Sequence, residues 1–168
     1  MKPLPLPVVP MHSAPRGYLQ SFRCDASIET LWHALVEPEG LALWYASEAR
    51  IEAREGGLYA VRTRLLGRRV AHIDAFLPNR RLRLIYEPHQ DWPDAGESVI
   101  VEDFLIDRDN RGSRDTATVL RMIGSGVPDQ REWDPTLKRL RSAWAVSFSY
   151  LQKSLEAGDF DRLLAGNG

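Results

Sequence analysis

Apolar and polar residues alternate one by one along much of the chain, which is the pattern of half-buried β-strands. The run from Gly17 to Asp25 is the first such stretch, and six more follow between Ser47 and Gly124. Their sequences are SEARIEAR, LYAVRTRL, RVAHIDAF, RLRLIY, SVIVEDFLI and DTATVLRMI. Most of them are separated by short turns rich in glycine, proline or asparagine, so we expect neighbouring strands to pair antiparallel.

Two short helices are predicted between the first strand and the second. Ser27 is of a residue type that caps helix N-termini, and apolar residues recur at helical spacing directly after it. Pro38 cannot continue this helix, because its ring clashes with the preceding turn and it has no backbone N–H. A second, shorter helix is therefore expected over residues 39–45.

The last part of the chain carries the clearest helical pattern. Its apolar residues are three or four positions apart and form one stripe: Leu137, Leu140, Trp144, Phe148, Leu151 and Leu155. Asp134 is predicted to cap this helix and Gly158 to end it. From Pro135 to Ala157 the helix would be about 34 Å long, which is enough to cross a sheet.

These elements predict an α+β fold in which a curved seven-stranded antiparallel sheet surrounds the long C-terminal helix. A sheet of this size twists, and a helix on its concave face needs an apolar stripe of this kind. A curved sheet around a single helix tends to leave space between them. We therefore expect an apolar cavity there, closed at its ends by the short helices and the hairpin loops.

Several motifs resemble one known superfamily. The run ASIETLWHALVEPEGLALW, from Ala26 to Trp44, is similar to the opening of the START-like (SRPBCC) helix-grip superfamily. Further matching pieces are REGGLY from Arg54, the strand and turn HIDAFLPNRRLRLIY, and GSGVP from Gly124. The branch that looks most similar is that of the C-terminal domain of the Hsp90 ATPase activator, and the resemblance covers residues 17–158.

The resemblance implies a domain that binds a small, largely hydrophobic molecule between the sheet and the C-terminal helix. Two alternatives stay open. One is an enzyme like the polyketide cyclases or dehydratases, which would use the same cavity. The other is a chaperone-associated interaction module similar to the Hsp90 activator.

The composition is that of a globular protein, with 43% apolar and 27% charged residues. The 22 basic and 23 acidic residues nearly balance, so no broad positive field would hold nucleic acid or an anionic membrane. No apolar stretch is long enough to span a membrane. The single cysteine, Cys24, cannot form an intramolecular disulfide, which is typical of a cytoplasmic protein.

The first 15 residues differ from the rest because five prolines lie among them. We predict a proline-rich arm over residues 1–15 and a single START-like domain over residues 16–168. The arm, or an exposed sheet edge, could support a homodimer, because unpaired strand edges invite pairing.

Catalytic motifs for a nucleophile elbow, a phosphate-binding loop or a zinc site do not occur in the sequence. The weak catalytic candidates are His72 and Asp74, two residues apart on one strand and predicted to share a face with Phe76. If this face is concave, the pair could act as acid and base inside the cavity. If it is convex, positions 71, 73 and 75 face the core and the pair is solvated.

The candidates for ligand contact are mainly large apolar residues of the predicted core. Aromatic rings provide rigid walls, and a buried Tyr or Trp needs a partner for its O–H or N–H, which a ligand could supply. The full set of ligand-binding candidates is Trp32, Trp44, Tyr59, His72, Phe76, Tyr86, Phe104, Leu120, Trp144, Phe148 and Leu151.

Glu102 and Asp103 are adjacent on one strand and so point to opposite faces of the sheet. One of them should face the core, where its carboxylate needs a donor such as an arginine or a ligand amine. The four histidines have no spacing typical of a metal site, and we expect neither a metal nor a cofactor.

Overall fold

The structure is a computed structural model that describes residues 16–109 and 117–166. The proline-rich arm predicted over residues 1–15 lies outside the described residues. Within the described residues, no helix is long and apolar enough to cross a membrane.

Seven strands form one antiparallel sheet, as the alternating pattern predicts. They are β1 (Arg16–Cys24), β2 (Ala46–Ile51), β3 (Leu58–Thr63), β4 (Gly67–Leu77), β5 (Arg81–Tyr86), β6 (Val101–Asp109) and β7 (Ala117–Val127). Their order across the sheet is β1-β7-β6-β5-β4-β3-β2. Strands β2 to β7 pair in sequence, β1 joins β7, and β1 and β2 form the two edges.

The two short helices and the long C-terminal helix are also confirmed. They are α1 (Ile28–Val36), α2 (Pro38–Ala42) and α3 (Asp134–Glu156), and a further helix, α4 (Asp159–Gly166), follows. The Ser27 hydroxyl caps α1 by accepting a hydrogen bond from the Thr30 N–H at 3.1 Å. Pro38 begins α2 rather than preceding it, because the first turn of a helix needs no N–H from that residue.

The predicted cap of the long helix is wrong. A short 3₁₀ turn over Arg131–Trp133 leads directly into α3, so the backbone at Asp134 is already helical and Trp133 occupies the cap position. Asp134 pairs instead with Arg16 at the start of β1. Gly158 ends α3 in the left-handed conformation, with φ +76°, as predicted. The helix α4 beyond it has no counterpart among the predicted elements.

A β-bulge in β4 changes which residues face the core. Ile73 pairs with Leu84, but the next pairs are Ala75 with Arg83 and Phe76 with Leu82, so one extra residue lies in β4. The prediction that His72, Asp74 and Phe76 share one face of the sheet is therefore wrong, because the bulge turns Phe76 to the inner side. Simple alternation could not show this irregularity.

Candidate functional site

The middle of the interface between the sheet and α3 is filled by aromatic side chains. Trp144 on α3 lies in the centre, with ring centroids 4.8 Å from Tyr45, 5.6 Å from Phe104 and 6.0 Å from Phe148. Trp44 packs on the same cluster at 6.3 Å from Trp144. All five side chains are buried. At this point the predicted cavity is occupied by the protein's own side chains.

A carboxylate lies within this aromatic core. Glu102 on β6 is 0% exposed. The Tyr18 hydroxyl donates a hydrogen bond to Glu102 Oε1 at 2.7 Å, the Trp144 Nε1–H donates to the same oxygen at 3.2 Å, and the Tyr86 hydroxyl donates to Oε2 at 3.2 Å. The expectation that one of the adjacent carboxylates faces inward is confirmed, because Glu102 is buried. Asp103 pairs instead with Arg81.

Arg69 on β4 is the positive partner of Glu102. It is 3% exposed, and its Nη2 lies 2.7 Å from Glu102 Oε1. Its guanidinium carbon lies 3.8 Å from the centroid of the Tyr86 ring, a cation–π contact, and Nη1–H donates to the Tyr45 hydroxyl at 3.1 Å. The buried carboxylate therefore has the arginine partner that its burial requires.

The surroundings determine the protonation states of this cluster. Burial alone would lower the pKa of Arg69, but the Glu102 carboxylate and the nearby tyrosines hold it well above its ordinary value. Burial raises the pKa of Tyr45 to about 12, although Arg69 opposes the shift. The pKa of Tyr18 and Tyr86 is likewise raised, mainly by burial. At neutral pH the cluster holds an arginine cation and uncharged tyrosines.

A glycine makes room for one of these tyrosines. A Cβ on Gly124 of β7 would lie 2.1 Å from the Tyr18 ring, so only a glycine allows the ring to lie across β7. This close approach brings the Tyr18 hydroxyl to Glu102, which pairs with Gly124 in the neighbouring strand.

A pocket of about 310 Å³ lies at one end of the interface, next to this cluster. It is formed by β4, β5 and the connection over residues 87–100, which we call the pocket loop. Its lining includes Arg69, Val70, Tyr86, His89, Trp92 and Trp133. Arg69 and Tyr86 belong both to the buried cluster and to the pocket wall, so they connect the two regions.

The pocket loop is tied to the rest of the protein at several points. A ring nitrogen of His89 lies 3.1 Å from the Leu66 carbonyl oxygen in the β3–β4 turn. The Trp133 Nε1–H donates to the Asp94 carbonyl at 3.3 Å, and the Ser98 hydroxyl donates to the Gly126 carbonyl at 2.6 Å. Two of these bonds come from loop side chains and one goes to a loop carbonyl, and together they tie the loop to the β3–β4 turn, to β7 and to the turn before α3.

The Trp92 side chain covers Arg69. Its ring stacks on His89 at a centroid distance of 4.3 Å and meets Trp133 edge to face at 6.3 Å. The Arg69 guanidinium carbon lies 5.7 Å from its centroid. The pocket therefore has flat aromatic walls, with a buried cation on its inner side.

A second hollow, of about 660 Å³, lies near the C-terminal end of α3. It is lined by Cys24, Ser27, Gln152, Glu156 and Phe160, among others. It lacks the combination of aromatic walls and a buried charge that marks the pocket beside Arg69.

His72 and Asp74 lie on the outer face of the sheet. Both are exposed, while Ala71 and Ile73 face the core. Asp74 makes an ion pair with Arg83 at 3.4 Å. The hypothesis that these two residues act within an interior cavity is therefore wrong. The convex alternative is observed for positions 71 and 73, whereas the bulge leaves Ala75 only partly buried.

The other predicted ligand-contact residues divide into three groups. Trp32 and Phe76 are partly buried and touch each other edge to face at 5.2 Å. Tyr86 lines the pocket. The rest are buried outside the pocket lining: Trp44, Tyr59, Phe104, Leu120, Trp144, Phe148 and Leu151.

Arg69 and Trp92 are the residues that the sequence analysis missed. Arg69 has the same parity along β4 as Ala71 and Ile73, so an inward choice for those two would have turned Arg69 inward as well. Trp92 lies in a proline-containing loop, where periodicity carries no information about burial. No group of three or more His, Cys, Asp or Glu able to hold a metal occurs in residues 16–109 and 117–166.

The fold defines the class of protein. An antiparallel seven-stranded sheet against a long C-terminal helix, with two short helices after the first strand, is the helix-grip fold of START-like domains. Residues 25–156 match the family described as "Activator of Hsp90 ATPase homolog 1-like protein", and the chain belongs to this family. No curated protein matches the chain.

Several solved structures share this fold. Protein MLL2253 from Mesorhizobium loti is 22% identical, with a TM-score of 0.68, over 84% of this chain and 98% of that one. The Aha1 dimer from Colwellia psychrerythraea is 19% identical, with a TM-score of 0.65, over 85% and 98%. CalU16 from Micromonospora echinospora is 20% identical, with a TM-score of 0.62, over 82% and 72%. At these identities the likeness concerns the fold.

Proposed function

We propose that the chain binds a small, flat, largely apolar molecule in the pocket beneath the pocket loop. The observation that carries this proposal is the pocket itself, with a volume of about 310 Å³, aromatic walls and one buried guanidinium. Small-molecule sites typically have volumes of about 300–1,000 Å³ and combine apolar walls with a few polar groups.

The proposed ligand site differs from the one that the sequence predicts between the sheet and α3. The centre of the interface holds Trp144 and its aromatic neighbours in close contact. The pocket opens instead at the end of the sheet, where the pocket loop passes over β4 and β5. A flat ligand there would lie against Trp92, Trp133 and Tyr86.

A titration followed by nuclear magnetic resonance tests this function. We expect naphthalene-based probes to shift the indole N–H signals of Trp92 and Trp133, while the signal of Trp144 in the closed core stays nearly constant. Ala95 lines the pocket, so the larger side chain of Ala95→Phe should block it and abolish the shifts.

Ala53→Phe serves as the matched control, because Ala53 is exposed and does not belong to the pocket lining. This variant should bind the probes as the wild type does. Shifts confined to other residues, or equal binding by the Ala95 variant, would contradict the assignment of the site. Native mass spectrometry of protein purified from its own host would reveal a carried ligand.

The homodimer remains a prediction. One solved relative is described as a dimer. On this chain, Leu19 and Ile123 pair across β1 and β7 on the outer face, and they are 62% and 42% exposed. The cyclase-like and chaperone-associated alternatives also stay hypotheses.

A further inference from the structure

Four buried side-chain nitrogens have no hydrogen-bond partner within the described residues, and two of them belong to residues that line this pocket. They are Nη2 of Arg69 and Nε1 of Trp92. Buried donors in folded proteins nearly always have an acceptor, and one left without costs free energy. Two such donors in one wall indicate that an acceptor from outside the chain completes the site.

The ion pair of Arg69 does not satisfy Nη2. Glu102 Oε1 is only 2.7 Å away, but the N–H bonds of Nη2 are not directed at it. That oxygen already accepts hydrogen bonds from Tyr18 and Trp144. The contact with Glu102 therefore balances the charge of Arg69, and because Nη2 carries two hydrogens, at least one N–H stays available for a further acceptor.

The Trp92 indole can move without breaking a hydrogen bond. Its Nε1 has no partner, and the ring is held by contacts with His89 and Trp133. The hydrogen bonds that tie the pocket loop to the rest of the protein do not involve this indole. Both orphan nitrogens are now closed off from water, so a ligand would reach them by turning this indole aside.

The charges around the pocket disfavour an anionic ligand, and the unpartnered donors beside it disfavour a cationic one. Arg68 and Arg69 in the lining are balanced by Glu87 and Asp91, and Glu102 lies directly behind Arg69. The surroundings as a whole therefore carry a slight negative excess. A carboxylate would be repelled there, whereas an uncharged carbonyl oxygen can accept hydrogen bonds without adding charge.

We propose that the ligand is a flat, uncharged molecule with a carbonyl-type acceptor, which takes hydrogen bonds from Arg69 Nη2 and Trp92 Nε1. This inference rests on the proposed function, because it needs a ligand in the same pocket. It adds the chemical class that the aromatic walls alone do not specify.

Three naphthalene probes of similar shape test the inference: 2-acetylnaphthalene, 2-isopropylnaphthalene and 2-naphthoate. We expect the ketone to bind the wild type about tenfold more tightly than the hydrocarbon, since only the ketone satisfies the buried donors. The naphthoate should also bind more weakly than the ketone. Titration calorimetry gives the three dissociation constants.

Trp92→Phe keeps an aromatic wall and removes one orphan donor, so the preference for the ketone should shrink. Trp133→Phe is the matched control, because the Trp133 N–H is already bound to Asp94. Trp133→Phe should weaken the binding of all three probes to a similar degree and leave the preference for the ketone intact.

Equal affinity of the wild type for ketone and hydrocarbon would overturn the inference while leaving the proposed function in place. The same conclusion would follow from tightest binding of the naphthoate, or from an unchanged preference in Trp92→Phe. If none of the probes binds, the proposed function fails and the inference fails with it.

Discussion

The middle of the sheet–helix interface and its end beneath the pocket loop are built from the same residue types but differ in how their polar groups are satisfied. In the middle, Trp144 donates to Glu102, Trp44 donates to the Ala34 carbonyl at 2.9 Å, and Tyr59 donates to the Leu35 carbonyl at 2.7 Å. At the end, Trp92 Nε1 has no partner. Satisfied donors are typical of a structural core, and beside the pocket the unsatisfied donor is the one that we propose a ligand completes.

Arg69 belongs to both regions. Its Nη1 donates to Tyr45 and its Nη2 lies 2.7 Å from Glu102 within the core, while the residue also lines the pocket. The core therefore holds the guanidinium in place, and a ligand would meet a cation whose position is already determined. Positioning of this kind lowers the cost of binding.

The largest effect should come from breaking the buried ion pair. Glu102→Gln leaves the Arg69 cation buried without its counter-charge, and we expect a loss of about 3–5 kcal/mol in the free energy of unfolding. Urea denaturation measures this loss. Asp103→Asn, on the same strand, is the control, since its pair with Arg81 is partly exposed and should contribute about 1 kcal/mol or less. Equal losses in the two variants would show that the buried Glu102–Arg69 pair contributes no more to stability than the partly exposed Asp103–Arg81 pair.

The second-largest effect should come from alkaline pH, which lowers the free energy of unfolding through Tyr45 in the core. The pKa of Tyr45 is about 12 in the folded protein and about 10 in the unfolded chain, so above pH 10 the unfolded state releases this proton first. The stabilisation is complete below pH 10 and is lost as the pH rises towards 12, by at most about 3 kcal/mol for this group.

Unfolding measured at pH 9 and pH 11.5 checks this expectation. Tyr45→Phe removes the titrating group and should lose less stability over this interval than the wild type. Tyr150→Phe is the control, because Tyr150 is exposed. If both variants lose as much as the wild type, Tyr45 does not contribute to the alkaline sensitivity.

The smallest effect on stability is expected for Trp92→Phe at the pocket, which we compare with the same substitution, Trp144→Phe, in the core. Trp144→Phe removes a donor from the buried Glu102 carboxylate and should cost about 1–3 kcal/mol. Trp92→Phe removes a donor that has no partner, so its free energy of unfolding should stay within about 0.5 kcal/mol of wild type. Thermal and urea unfolding measure both, and an equal cost would remove the contrast between the two regions.

Much of the fold follows from local patterns. The alternation in β1 to β7 and the apolar stripe of α3 are repeated over many residues, so single exceptions do not hide them. The bulge in β4 is different, because it shifts a register by one residue and leaves no mark on composition. It alone reverses the predicted direction of Phe76.

The candidate site was harder to predict. Tyr86 lines the pocket, while its predicted contact with a ligand stays a prediction, and the need of an inward carboxylate for a donor such as an arginine follows from the sequence. The identity of that arginine does not. Arg69 is separated from Glu102 by 33 positions in the chain, and only the pairing of β4, β5 and β6 brings them together.

The amino-acid sequence by itself determined the order of the elements, the antiparallel sheet and the long amphipathic helix, because hydrophobic periodicity and turn residues act over a few neighbouring positions. The tertiary structure decided which face of each strand is closed, where Arg69 meets Glu102, and that the space lies under Trp92 rather than beside Trp144. These outcomes depend on how side chains from distant segments fill a shared volume, and no local pattern encodes that volume.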